Sequence, residues 1–316
     1  MAGINRFNLR GVELNWDNAT IETKMALTQM GSISFRTGTS KYDIIPAGLV
    51  DIAQVMMSHA DPMVEISTPD ILTVLTNLPA SLSGRELYGT NSYIEFAERD
   101  NAGTFVSGGS TLDQLVFQEG VFFLNSISCQ QDDPQGAQAS ISLHLLSTDG
   151  LVVPATFVKA ATAVDAPAFV SCYYLGPTEF NNAVKTGVLG WTYNTNINFS
   201  KDRFDGEVYA TKGAIVSRGA TLTVRFANLE HMETGNFLAN LFQGCITGTG
   251  IDLFLRRGDQ CGTRIADNVT SHIQINFAEA VYDISDLSAQ DNGDGSISVD
   301  FRILQAPAVS VGVVIA

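Results

Sequence analysis

Strand-like landmarks recur in this chain, in the same order, about half its length apart. Phe7 to Ala19 (FNLRGVELNWDNA) resembles Tyr173 to Ala183 (YYLGPTEFNNA), with Glu13, Leu14 and Asn15 set against Glu179, Phe180 and Asn181, 166 residues on. Gly31 to Phe35 (GSISF) matches Thr195 to Phe199 (TNINF) at 164, and Val64 to Ile71 (VEISTPDI) matches Leu222 to Leu229 (LTVRFANL) at 158. SISLHLL, from Ser140, and SISVDFRIL, from Ser296, sit 156 apart. Half of the 316 residues is 158, so order and spacing together predict an internal duplication. The expected units are residues 1–155 and 156–316, joined through a Pro- and Ala-rich linker at 151–169.

Each unit reads as mainly β. Ile33 and Phe35 alternate with Ser32, Ser34 and Arg36, and Ile197 and Phe199 do the same in the second unit. Leu222, Val224 and Phe226 oppose Thr221, Thr223 and Arg225, while Ile141, Leu143 and Leu145 oppose Ser142 and His144. Ile297, Val299 and Phe301 oppose Ser298, Asp300 and Arg302, and DGEVYAT, Asp205 to Thr211, alternates as well. A period of two marks antiparallel sheet with one packed face and one wet face. One helix is expected in each unit, after the start signal Thr68-Pro69-Asp70 with Ile71, Leu72, Leu75 and Leu78 on one side, and over Glu233 to Phe242. The fold class expected is therefore two tandem β-sandwich or barrel domains, each with one flanking helix.

Composition narrows the function. Eighteen Lys and Arg against 33 Asp and Glu give a net charge of -15, which argues against gripping nucleic acid or anionic lipid through a basic surface. No secretory signal or membrane-spanning stretch is read, and a soluble cytosolic product is expected. Cys129, Cys172, Cys245 and Cys261 form no C-x-x-C pair and are expected as reduced, mostly buried thiols. Asp291 to Ser296 (DNGDGS) lacks the first and last acids of a calcium loop and reads as a hairpin turn. Asp132-Asp133, before Pro134, reads as a solvated turn, and the four histidines are scattered. No catalytic, cofactor-binding or metal-binding residues emerge, so an enzyme is not expected.

Function then has to come from shape and association. The repeated landmarks, GSISF with TNINF and SISLHLL with SISVDFRIL, and the helices near Thr68 and Glu233 resemble the tail tube proteins of long-tailed bacteriophages across nearly the whole chain. The resemblance implies a virion structural protein, assembled in the host cytoplasm, in which three two-domain chains build a pseudo-hexameric ring. Such rings stack into a tube, bind other tail proteins and pass viral DNA without specific binding, with no membrane contact. Asp43, Glu65, Asp205 and Glu207 are expected to contribute to an acidic lumen. The segments Arg36 to Met63 and Ser200 to Ala220 read as irregular, and their apolar residues Ile44, Ile45, Val55, Met56, Ile215 and Val216 are candidates for ring stacking. The rivals are a baseplate hub or tail-end ring protein and a tandem β-sandwich binding module. The module would need aromatic platforms, for which Trp16 and Trp191 are the candidates.

Overall fold

The computed structural model describes residues 6–16, 24–27, 31–44, 47, 54–78, 84–87, 92–99, 112–160, 171–227, 249–259, 263–290 and 293–315. The first half runs through β1 (Arg6–Asn15), β2 (Lys24–Leu27), β3 (Ser32–Arg36), β4 (Thr39–Ile44), β5 (Gln54–Ala60) and β6 (Met63–Thr68). The helix α1 (Ile71–Asn77) follows, then β7 (Arg85–Glu86), β8 (Ser92–Arg99), β9 (Leu112–Phe117), β10 (Glu119–Gln130), β11 (Gln138–Leu146) and β12 (Ala155–Ala160). The second half contributes β13 (Tyr173–Phe180), β14 (Ala183–Lys185), β15 (Val188–Asn194), β16 (Ile197–Asp202), β17 (Lys212–Arg218) and β18 (Thr221–Phe226). It closes with β19 (Thr249–Arg257), β20 (His272–Gln290), β21 (Gly293–Ile303) and β22 (Ala308–Val313). The protein is mainly β, with large antiparallel sheets and one helix among the described residues.

Strand pairing recurs from one half to the other. β1 pairs with β2 and β8, β8 with β9, and β9 with β12; correspondingly β13 pairs with β14 and β19, β19 with β20, and β20 with β22. The order β3-β6-β11-β10 is matched by β15-β18-β21-β20, and the hairpin β4–β5 by β16–β17. Residue registers agree. Ile33↔Ile66 and Ile66↔Ile141 answer to Trp191↔Val224 and Val224↔Val299, each residue moved by 158. The bulge between Leu124 and Ser126 answers to that between Ile284 and Asp286, moved by 160. Gly38 and Asn196, also 158 apart, both have positive φ, at 56° and 45°, where each chain turns into its hairpin. Glycine and asparagine are the residues that enter that region most easily.

Two expected correspondences shift. GSISF lies on β3, but its counterpart by pairing is Leu189 to Tyr193, because TNINF runs into β16, which pairs with β17 alone. The closing strands align at 158 rather than 156: Leu143 faces Val64 as Phe301 faces Leu222. A slip of two leaves the same side chains on the same face, which is why alternation alone did not resolve it.

One apolar cluster fills the space between the five-stranded sheet β12-β9-β8-β1-β2 and the long sheet, bringing together Val12, Leu14, Met25, Ile94 and Phe117 with Ile66, Ile141 and Leu143. It continues through Trp191, Tyr193, Leu222, Phe277 and Phe301, with Tyr193 and Phe277 at 5.2 Å between ring centroids. The helix is capped by Asp70 rather than Thr68: the Thr73 amide donates to Asp70 Oδ1 at 3.2 Å, and the Asp70 amide donates to Thr68 Oγ1 at 3.1 Å. Ile71, Val74, Leu75 and Leu78 are buried against the core. The helix expected at Glu233 to Phe242 lies outside the described residues. β12 covers part of the expected linker and pairs with β9, so it belongs with the first set of pairings.

Candidate functional site: a polar sheet face and its edges

The two halves meet edge to edge in one continuous sheet. β10 of the first half pairs with β15 of the second: Ser126↔Asn194, Ile127↔Tyr193, Ser128↔Thr192, Cys129↔Trp191 and Gln130↔Gly190. At one end the Thr195 hydroxyl donates to the Leu124 carbonyl at 2.8 Å, and its amide to the Asn125 carbonyl at 2.9 Å, which closes the bulge. At the other end the absence of a side chain at Gly190 is required, since a Cβ there would lie 2.6 Å from the Cys129 carbonyl oxygen. Cys129 is buried, and burial, with a smaller push from Asp133, raises its thiol to about 12, so it packs as a neutral group.

Pairing carries side chains in rows across this joint. Ile66, Ile141, Ile127, Tyr193, Leu222 and Phe301 form the buried face. On the other face one row runs Ser32, Ser67, Ser140, Ser126, Asn194, Thr221 and Arg302. The next runs Gln138, Ser128, Thr192, Thr223 and Asp300. Hydroxyls and amides dominate this face, and three of its charges are engaged: Arg36 pairs with Glu65 at 3.0 Å, and Thr223 donates to Asp300 at 2.5 Å.

The hairpin β16–β17 of the second half lies over part of the first half. Ile197, Phe199 and Ile215 pack on Val121, Phe123, Leu146 and Ala210, and Phe199 stacks on His144 at 4.7 Å and sits 6.2 Å from Phe123. Beside the stack, Asp61 is held by Arg203 and by Lys201, the latter at 3.6 Å. Burial works to raise the Asp61 carboxyl, but the hydrogen bond from Arg203 and the charge of Lys201 leave it lowered. Burial, then Lys201, pushes His144 down to about 4.

The expected lumen acids fall in different settings. Glu65 lies on the polar face. Asp43 is exposed on β4. Asp205 and Glu207 belong to a turn rather than to the strand that DGEVYAT suggested; Glu207 accepts from the Phe204 amide at 2.8 Å and from the Thr211 hydroxyl at 3.2 Å. Among the described residues, the segments read as irregular form two-stranded pairings, β4 with β5 and β16 with β17. On them Val55, Met56 and Val216 are exposed, Ile215 packs inward, the side chain of Ile44 lies outside what is described, and so does all of Ile45. The joint itself was missed in the sequence; the aromatics at Trp191 and Tyr193, in a strand whose counterpart holds Ile33 and Phe35, were the available signal.

Neither tryptophan forms an open platform: Trp191 is buried, and half-buried Trp16 packs edge-on to Phe122 at 5.8 Å with the Arg85 guanidinium 5.5 Å from its ring centre. Asp133 caps a turn, accepting from the Gln135 amide at 2.8 Å; β20 and β21 pair as far as Gln290↔Gly293, and Asp291 and Asn292, where the turn was expected, lie outside the described residues. Among the described residues no group of three His, Cys, Asp or Glu side chains is placed to hold a metal ion, and no helix is long and apolar enough to cross a membrane. The chain matches no protein-family model and no curated protein sequence.

Proposed function

We propose that the chain is a tail tube protein of a long-tailed bacteriophage, made of two tandem copies of one tube domain, the second beginning after β12. Three chains close a ring of six equivalent blocks, and stacked rings form a conduit for DNA in the virion. The observation that carries this reading is the β10–β15 joint. It holds one half to the other head to tail, and a head-to-tail contact repeats until it closes into a ring or runs on as a filament.

Each chain supplies eight strands to such a wall: β3, β6, β11, β10, β15, β18, β21 and β20. Three chains supply 24. At about 4.8 Å between strands and a tilt near 40°, a closed sheet of that size is roughly 45–50 Å across between backbones. Since the apolar core occupies one face, the Ser- and Thr-rich face lines the bore. Neutral hydroxyls and a net charge of -15 give passing phosphates few cations to hold, which suits sliding over binding. Glu65 is the acid best placed to add repulsion there, with Asp43, Asp205 and Glu207 contributing near the hairpins. Exposed Val55, Met56 and Val216 are available for contacts between stacked rings or with other tail proteins.

Negative-stain electron microscopy of the purified protein tests this reading. Rings or hollow tubes are expected; monomers or compact two-fold dimers at all concentrations would reject it.

A further inference from the structure

The joint inside the chain is a template for the joint between chains. Moved by the offsets that relate the halves, 160 for β10 and 158 for β15, its two edges become Asp286 to Gln290 of β20 and Ser32 to Arg36 of β3. Among the described residues neither edge has a partner strand on that side. Phe35, which answers to buried Tyr193, is 41% exposed at the open edge. The hairpin β4–β5, which answers to the docked β16–β17, joins neither buried cluster, and Tyr42, Val55, Met56 and Met57 stand exposed on it.

We propose that the end of β20 in one molecule pairs with β3 of a second copy, in the register Asp286↔Arg36, Leu287↔Phe35, Ser288↔Ser34 and Ala289↔Ile33, and that the hairpin β4–β5 of that copy docks over β20 and β21 of the first. This rests on the reading of the chain as a ring former. The register stops at Ile33 because Ser32 stands where Gly190 stands, and a side chain there meets backbone.

The residues that differ between the two joints make the case. Inside the chain the matched positions are Asn194 with Ser126, Phe199 with Phe123, and Lys201 beside His144. Between chains the same offsets bring together, as sequence positions, Arg36 (which pairs with Glu65 within its own chain) and Asp286, Lys41 and Asp283, and Asp43 and Arg302. All three are pairs of opposite charge. Polar and aromatic contacts therefore hold the joint that forms once, within a chain, while charge pairs mark the joint that must recognise a separate molecule. Like charges placed opposite one another on paired strands oppose pairing, so the pattern also sets direction and register.

Two experiments separate this joint from the ring that it serves. Arg36→Asp is expected to raise the concentration needed for assembly tenfold or more, and Arg36→Asp combined with Asp286→Arg to restore it, with the doubly exchanged protein assembling with itself and not with the original. In a Ser34→Cys, Ser288→Cys variant, oxidation is expected to cross-link neighbours, with covalent trimers as the largest product and none from either single variant. A ladder running beyond three chains would keep the joint and overturn the three-chain ring. No rescue by the charge exchange together with no cross-link would overturn the joint, whether or not the protein assembles.

Discussion

Phe199, on a hairpin of the second half, stacks on His144 of the first half with ring centroids 4.7 Å apart, so the two halves are held by an overlapping arm as well as by paired strands. The imidazole is neutral in that position. Its folded value near 4 lies below the ordinary 6.5, because burial and the neighbouring Lys201 disfavour the charged ring.

The sign of the pH effect follows. As pH falls from about 6.5 toward 4, the unfolded chain takes up the proton first, so stability falls over that window and levels below it. With allowance for partial exposure the loss is about 1–3 kcal/mol. Urea midpoints at pH 7 and pH 5 measure it, and His144→Phe, which keeps the stack, is expected to remove this part of the difference.

Gly190→Val is expected to weaken the joint within the chain, since its Cβ would lie 2.6 Å from the Cys129 carbonyl oxygen. A cost of about 1–3 kcal/mol is the usual range for overpacking of this kind. The thermal midpoint reads it, and hydrogen exchange is expected to rise in β10 and β15 before it rises in β1 and β8.

The Tyr193 hydroxyl is buried and meets no hydrogen-bond partner among the described residues, and burial raises its pKa. Leaving a buried polar group unmade costs about 1–3 kcal/mol, so Tyr193→Phe is expected to be neutral or stabilising. A lowered denaturation midpoint would show that the hydroxyl has a partner.

Ser128 and Thr192 face each other across the joint on the polar side. On the proposed tube, replacing Thr192 alone with Lys, which sets no like charge opposite it, is expected to leave rings and tubes intact and to slow DNA ejection, with the delay shrinking as salt rises. Unchanged ejection at low salt would place this face away from the DNA.

Much of the fold was legible because alternation reports which side chains go inward. Leu222, Val224, Phe226, Ile297, Val299 and Phe301 are all buried as their spacing required. Alternation is blind to pairing partners, however, so TNINF passed for the match of GSISF although its strand pairs within a hairpin. The first hairpin lacked a signal, since Lys41, Tyr42 and Asp43, like Val55, Met56 and Met57, are exposed in succession and show no alternation, whereas β16 of the second hairpin alternates. The joint joins residues sixty or more positions apart, as in Ser126 with Asn194. Only the backbone register exposes that kind of contact.

Counting chains in the smallest closed assembly tests the central claim most directly. Native mass spectrometry of rings, paired with averaged end-on images of the same sample, is expected to give three copies of the 33.9 kDa chain and six near-equivalent features around the axis. Six chains per ring, or three chains showing only three features, would contradict it.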